Sequence, residues 1–440
     1  MNCKEAIAYI ENQGWSKTRL GLDRSAELLK RLGDPQKGLK FVHVAGSNGK
    51  GSTCAMMDII FRKAGYHTGL YISPYIQDFC ERIQIDGKNI SGDDLARITE
   101  IVKAQAEAMD DHPSQFEIVT AVAMMYFKEQ KCDIVVLEVG MGGAYDATNT
   151  IDAPELACIT NIGLEHTEYL GDTLEKIAET KSGIIKTGCS CVCYDGAPEV
   201  TEVIRKVCSE KNVPLACVDY SNMKCLSSSL EGQRIEWKGK EYDLKLIGNH
   251  QLHNAALVLT GVELLRQRGW NLSEEAVKRG LAEVTWPARL ELLGREPYFI
   301  LDGGQNPQCA EAMTDSIMTL FPGRKFVFLT GILADKDYNT VLDMMTPLAS
   351  EFVCLTPLSD RALPATELEK VLQAKGAKAQ CPEIVEAAAK GEADPSEFEC
   401  IEAGIRLALD RAGKDGCVIA FGSLYLAGAV RTVFTEKFEK

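Results

Sequence analysis

The 440-residue sequence lacks a positive charge excess: 63 Asp and Glu outweigh 48 Lys and Arg, for a formal net charge of -15 at pH 7. A field of that sign repels a long polyanion, so nucleic acid is excluded as a general partner, while a local pocket for one small anion stays open. No apolar run is long enough to span a bilayer. Met1 to Trp15 is interrupted by Glu5 and Glu11 and has no continuous apolar segment, so it does not read as an export signal. A cytoplasmic monomer without a membrane is expected. Sixteen cysteines are present, but the C-x-x-C spacing of structural zinc is missing. Cys189, Cys191 and Cys193 alternate along one side of an extended segment, poor geometry for one tetrahedral metal. Buried thiols in a reducing compartment are the expectation. No fixed-period repeat occurs.

What is present is the composition of a globular protein, 45% hydrophobic and 25% charged, in a chain too long for one comfortable core. Helical periodicity predicts helices from Cys3 to Asn12 and from Arg24 to Leu32. Lys40 to Val44 reads as a strand feeding a glycine loop, and Ser52 to Ala64 as the helix after it. Tyr66 to Ile72, Cys132 to Val139, Leu156 to Thr160 and the cysteine-rich run read as strands. Gln115 to Gln130 and Glu199 to Cys208 read as helices between them, and alternation of this kind implies a mostly parallel sheet covered on both faces. A hairpin is expected over Gln233 to Leu246, and helices over His250 to Leu264 and Ser273 to Leu281. After Trp286-Pro287 a second α/β series begins, with strands at Tyr298 to Leu301, Lys325 to Leu329, Phe352 to Leu355 and Cys417 to Phe421. Helices at Pro364 to Gln373 and Cys400 to Ala412 belong to that series. The junction is placed at Leu293 to Pro297, giving domains 1–294 and 298–440.

The stretch V-H-V-A-G-S-N-G-K-G-S-T, Val42 to Thr53, is strand, loop and helix start. Gly46, Gly49 and Gly51 let the backbone turn around an anion, Lys50 supplies a cation, and Ser52 and Thr53 supply hydroxyls. Gly51 occupies the place of the hydroxyl residue in the strict G-x-x-x-x-G-K-[ST] loop, so a related loop class is required. Downstream, Glu138 ends a buried strand, where the ligand groups of open α/β sheets gather. Asp146 and Asn149 follow on a glycine-rich loop, where a turn cap is an equal reading for Asp146. His166 lies in an acidic loop, where a metal-ligand or phosphate-side role is open, but a single histidine is more often a hydrogen-bonded structural residue, and spacing alone favours that reading. Lys181 lies in a helical run and, from composition alone, pairs equally well with Glu179 or solvent.

The loop, together with I-T-N-I-G-L-E-H-T-E-Y-L-G-D-T-L-E-K-I-A-E-T-K-S-G-I-I-K, resembles the folate branch of the Mur ligase superfamily, the folylpolyglutamate and dihydrofolate synthases. That resemblance implies an α/β fold with an N-terminal P-loop ATPase-like domain on a parallel sheet and a smaller C-terminal Rossmann-like domain. It implies ATP phosphates on Gly49, Lys50, Gly51, Ser52 and Thr53. Two magnesium ions near Ser52, Ser73, Glu138 and His166 follow from it, as does a carbamate on Lys181 serving as a further oxygen ligand. Lys50, Glu138, His166 and Lys181 form the implied catalytic group. I-G-N-H-Q with Asn254, W-P-A-R-L-E with Arg289, and L-D-G-G-Q-N-P with Asp302, Gln305 and Asn306 match segments that meet the nucleotide, those of the second domain from across a cleft. G-S-L-Y-L-A-G-A-V-R adds Ser423 and Tyr425 beside substrate, with Leu424 and Leu426 in the core.

The implied reaction is ATP activation of a carboxylate to an acyl phosphate, followed by attack of the glutamate amine. Catalysis would be positional and electrostatic, with no side-chain nucleophile. Tetrahydrofolate, its polyglutamates and dihydropteroate are the implied acids. The acid-side segments carry departures, however. Ser73-Pro74-Tyr75-Ile76 replaces S-P-H-L before Arg82, and Ala144-Tyr145 removes an arginine ahead of Asp146. Gln305 replaces a histidine and cannot carry a titrating positive charge. These changes keep a second reading open, a paralogous ligase joining an amino acid to a non-folate aromatic or acyl acid.

Overall fold

A computed structural model describes residues 1–14 and 21–438. The chain divides into two compact units. The first comprises Met1–Leu226, Arg234–Lys245 and Gln251–Val284; the second comprises Ser227–Gln233, Leu246–His250 and Thr285–Lys440.

The first unit is organised on eight strands: β1 (Phe41–Ala45), β2 (Thr68–Tyr71), β3 (Ile83–Ile85), β4 (Lys88–Asn89), β5 (Ile134–Glu138), β6 (Leu156–Ile159), β7 (Ser190–Cys193) and β8 (Leu215–Cys217). Their order is β4-β3-β2-β5-β1-β6-β7-β8. β2, β5, β1, β6, β7 and β8 run parallel, and β3 and β4 add an antiparallel edge. β1 and β5 are buried at every position, because helices cover both faces and neither side of the pleat meets water. The expected helix at Ser52 to Ala64 runs Lys50–Lys63, so the lysine of the glycine loop is itself the first helical residue. Helix Gly92–Ala106 lies outside the expectations above, although its start is legible. Ser91 accepts a hydrogen bond from Asp94 N, and Asp93 and Asp94 place negative charge in the first turn.

Residues 223–244 form a three-stranded sheet, β9 (Met223–Ser229), β10 (Gly232–Trp237) and β11 (Lys240–Leu244), so the expected hairpin gains a strand on its N-terminal side. The second unit holds β12 (Glu291–Arg295), β13 (Tyr298–Leu301), β14 (Phe326–Thr330), β15 (Ala349–Cys354), β16 (Ala379–Gln380) and β17 (Cys417–Phe421), in the order β12-β13-β17-β14-β15-β16. The junction expected at Leu293 to Pro297 is corrected: it lies inside the antiparallel β12–β13 hairpin, with a register shift between Leu292 and Gly294. Gly294, Glu296 and Pro297 have linker composition, yet here they build a bulge and a hairpin turn.

The cysteine-rich strand is buried as expected. Cys189, Cys191 and Cys193 join Ile159, Ile184 and Ile204 in one apolar cluster. No helix among the described residues is long and apolar enough to cross a membrane. Leu137, fully buried in β5, sits among Phe41, Tyr71 and Val122. Leu137→Ala should cost about 2–5 kcal/mol of first-unit stability, measured by urea denaturation followed with a first-unit probe.

Candidate functional site

β1 delivers the glycine loop from the centre of the sheet. Gly46 has φ +150° and Gly49 φ +86°. A Cβ on Gly46 would lie 1.7 Å from Thr160 Oγ1, and one on Gly49 2.5 Å from Asn254 Oδ1. Both positions therefore require glycine on conformation or space. The loop is pinned to the segment after β6. Ser47 N donates to Asn161 O at 2.7 Å, Thr160 Oγ1 donates to Asn48 O at 2.7 Å, and Ser47 Oγ donates to Gly163 O at 3.0 Å.

Two ammonium groups converge on one carbonyl. Lys50 Nζ donates to Gly46 O at 2.8 Å and to Ser47 O at 3.0 Å, and Lys181 Nζ donates to Gly46 O at 2.9 Å. Lys181 is 1% exposed and pairs with Glu165 Oε1 at 2.8 Å. Neither Glu179 nor solvent is its partner; the carboxylate comes from the loop that also carries His166. Burial lowers the Lys181 pKa to about 8, against the attraction of Glu165 and with repulsion from Lys50 adding to the drop. Glu165 is partly desolvated, which raises its pKa, but Lys50 and Lys181 together hold it below the usual carboxylate value. At neutral pH the Lys181–Glu165 pair is ionised, and Asp146 adds to the attraction that Glu165 exerts on Lys181.

A polar chain backs the loop. Tyr194 OH donates to Asn254 Oδ1, Asn254 Nδ2 donates to Gln251 Oε1 at 2.9 Å, and Gln251 Nε2 donates to Ser52 Oγ at 3.2 Å. Thr53, fully buried in the first helical turn, has no partner for its hydroxyl oxygen. An orphaned hydroxyl beside free helix N–H groups and two ammoniums is the donor set of a phosphate or cation–phosphate site.

Glu138, 5% exposed at the end of β5, accepts from Ser73 N at 3.1 Å. Arg82 Nη1 donates to Ser73 Oγ at 3.2 Å, and its guanidinium lies 5.1 Å from the Tyr75 ring centre and 5.4 Å from that of Phe79. Tyr75 OH donates to Glu11 Oε1 at 3.1 Å. Tyr75 therefore covers Arg82, while Pro74 is exposed and the buried Arg82 Nε lacks a partner. A buried carboxylate beside a serine is a hard-oxygen corner suited to magnesium, which takes one or two protein oxygens and completes its shell with water and phosphate. Among the described residues no group of three or more His, Cys, Asp or Glu forms a metal cage.

Asp146 behaves as a turn cap. Its carboxylate accepts from Met141 N at 2.9 Å, from Thr148 N at 3.0 Å and from Thr148 Oγ1. His43 Nε2 contacts Thr148 Oγ1 at 2.9 Å, and burial lowers the His43 pKa to about 3, so the ring is neutral. Tyr145 next to it is 54% exposed. His166 has φ +46° at the start of the short helix Thr167–Leu170.

Within the second unit, the buried Asp302 accepts from Leu290 N at 3.0 Å and Gly304 N at 2.7 Å. Arg289 Nη1 donates to Ala288 O at 2.8 Å, and its charge opposes the rise that burial imposes on the Asp302 carboxyl. Asn306 caps helix Pro307–Leu320 by accepting from Cys309 N at 2.9 Å, and Gln305 is half-buried beside it. Ser423 is buried and caps helix Leu424–Lys437, and Tyr425 is 41% exposed. The geometry thus gathers Lys50, Ser52, Thr53, Lys181 and Asn254 about one loop, and Ser73, Glu138 and Arg82 about a second point in the first unit. Sequence reasoning missed Glu165 as the lysine's partner, and missed Thr160 and Tyr194. Each meets its partner from 16 to 112 residues away, beyond any local pattern. Gly46→Ala should displace Thr160 and loosen the loop, lowering thermal stability and raising backbone amide exchange over 46–53, as measured by hydrogen–deuterium exchange.

Comparison with known proteins agrees with this arrangement. The family model of the Mur ligase middle domain matches residues 44–262, and that of the Mur ligase glutamate ligase domain matches 288–424. The dihydrofolate synthase/folylpolyglutamate synthase of Bacillus subtilis is 36% identical over 364 residues, covering 78% of this chain and 84% of the relative. The folylpolyglutamate synthase of Lacticaseibacillus casei is 32% identical over 445 residues and is covered over 98% of both chains. The crystal structure of Mycobacterium tuberculosis folylpolyglutamate synthase, complexed with ADP and AMPPCP, superposes with a TM-score of 0.85 at 30% identity, covering 98% of this chain and 99% of the other. A glycine loop with this wall of lysines, on this fold, and matches of such length leave one assignment: the chain belongs to the folylpolyglutamate synthase and dihydrofolate synthase family of the Mur ligase superfamily.

Proposed function

We propose that this chain is an ATP-dependent ligase that adds L-glutamate to the carboxylate of tetrahydrofolate or its polyglutamates through an acyl phosphate, and that dihydropteroate is a second acceptor. The observation that carries the reading is the convergence of Lys50 and Lys181 on the Gly46 carbonyl at a helix start. Gly49, Lys50, Gly51, Ser52, Thr53 and Asn254 bind the nucleotide phosphates. Arg289, Asp302, Gln305 and Asn306 are proposed as further nucleotide-binding residues. The first domain is the ATP-binding and catalytic one, and the second is the glutamate ligase domain.

In the first step a carboxylate oxygen attacks the γ-phosphorus and ADP leaves. In the second, the glutamate amine attacks the acyl carbon, loses a proton and expels phosphate. Lys50 and the loop N–H groups neutralise charge that develops on the transferred phosphoryl, at a site already fixed by Thr160 and Asn161. Glu138, Ser73, Ser52 and His166 are proposed to hold magnesium, which when bound supplies Lewis-acid charge to the phosphates. Pro74, Tyr75, Arg82, Tyr145, Asp146, Ser423 and Tyr425 are proposed on the acid and glutamate side. For Asp146 that role is positional, through the turn it caps.

Lys181 is proposed to carry a carbamate. Its amine is buried and loses its proton at about 8, so more of it is neutral and reactive toward carbon dioxide than in an ordinary lysine. The product is an anion that would face Glu165, and two anions in contact require a cation between them, the role magnesium fills. The carbamate signal in carbon-13 NMR with labelled bicarbonate should rise with pH through about 8 at fixed dissolved carbon dioxide, and be missing in Lys181→Ala. A pH-independent signal, or one that survives the substitution, would place the modification elsewhere.

The acid is tested by presenting purified protein with ATP, glutamate and either tetrahydrofolate, dihydropteroate or a panel of other aromatic and acyl acids, with products read by mass spectrometry. A glutamylated folate is expected. Turnover confined to a non-folate acid would assign the chain to the paralogous reading that Tyr75, Ala144, Tyr145 and Gln305 support.

A further inference from the structure

The sixteen cysteines are thiols, and one pair lies at the edge of the first-unit sheet. Cys193 ends β7 and Cys217 ends the edge strand β8, and the two are direct register partners in the parallel ladder. Neighbouring strands lie about 4.8 Å apart, inside the Cα separation a disulfide accepts. Cys193 Sγ donates to Cys217 Sγ at 3.6 Å. Arg205 Nη2 approaches Cys217 Sγ at 3.9 Å, placing a guanidinium beside the outer sulfur. Cys193 is fully buried, whereas Cys217 is partly exposed and lines a cavity of about 190 Å³ with Asp219, Trp237 and Lys238. The inner thiol is therefore shielded, and the outer one is accessible and cation-activated. The hydrogen bond from Cys193, followed by Arg205, holds the Cys217 thiol below its ordinary value, while the same hydrogen bond and burial raise Cys193.

We propose that Cys193 and Cys217 are an oxidative modification site, closed to a disulfide by hydrogen peroxide, and that closure loosens the nucleotide loop. The Cys217 thiolate attacks the peroxide oxygen, breaking the O–O bond, to give a sulfenic acid and hydroxide. The Cys193 sulfur then displaces the sulfenic oxygen, and its proton leaves with that oxygen as water. Two thiols lose two electrons and one peroxide gains them.

The consequence follows from the next residue. Tyr194 donates to Asn254, which lies against Gly49 and passes the hydrogen bond to Gln251 and so to Ser52. Tyr220, three residues after Cys217, lies edge-on to Tyr194 at 5.9 Å. Bonding the sulfurs brings them from 3.6 Å to about 2.0 Å, and that contraction acts on the backbone immediately before Tyr194. The linkage to nucleotide rests on the ligase reading above; the disulfide does not.

The test uses the full reduced chain and hydrogen peroxide. After alkylation and proteolysis, mass spectrometry should find the Cys193 and Cys217 peptides joined, two hydrogens lighter than their sum and separable by dithiothreitol. Cross-linking should precede over-oxidation of the exposed Cys225. Titration calorimetry should then show ATP affinity reduced at least about fivefold in the joined chain and restored by reduction, with Cys217→Ser holding its affinity through the same treatment. Cys217 oxidised without linkage to Cys193, a joined chain that binds ATP as tightly as the reduced one, or an equal loss in Cys217→Ser would each overturn the proposal. Failure of the reduced chain to bind ATP would instead overturn the ligase reading.

Discussion

Gly46 O is the point on which the first unit's chemistry depends. A carbonyl that accepts from two ammonium groups fixes the end of β1, the start of the Lys50–Lys63 helix and the end of the helix that carries Lys181. Two like charges held close together are unfavourable, and Glu165, in direct contact with Lys181, is the main compensation, with Asp146 adding to it. With Lys181 unmodified, what remains is a positive corner at a helix N-terminus, a field that stabilises a polyphosphate; with the proposed carbamate in place, Lys50 and bound magnesium would supply that charge. The anionic chain as a whole repels such ligands, so this corner has to be built locally, from buried groups that salt screens weakly.

Holding that corner requires rigid surroundings. Thr160 and Asn161 directly follow the strand on one side of β1, and Glu138 ends the strand on the other. Both flanking strands are buried on both faces, so their ends are set by the core. The glycines at 46 and 49 are where the backbone must pass under side chains without room for a Cβ. Near Glu138, Tyr75 lies over Arg82, so the guanidinium is covered on that face.

Much of this was legible in the sequence. The two α/β series, the buried strands and the loop with Lys50 follow from periodicity and glycine spacing, because each is a local pattern. The expected junction at 293–297 failed because a glycine and a proline mark a hairpin as readily as a linker. Asp146 read equally as a cap and as a substrate group, and its three hydrogen-bond donors decide for the cap. Composition and spacing left Lys181 paired with Glu179 or solvent, and only the family resemblance singled it out. Its partner Glu165 and its contact with Gly46 are set by how β1, β6 and the helix meet, which no sequence window contains. Tyr194, likewise, reaches Asn254 on the helix Asn249–Gln267 from just after β7.

The most direct measurement is titration calorimetry of ATP with magnesium, against adenosine, for the native chain and for Lys50→Ala. If the corner at Gly46 is the polyphosphate site, ATP binds the native chain at least about tenfold more tightly than adenosine, the worth of a charge-assisted hydrogen bond, and most of that margin vanishes in the variant. Equal affinity for ATP and adenosine in the native chain, or a margin untouched by Lys50→Ala, would contradict the account.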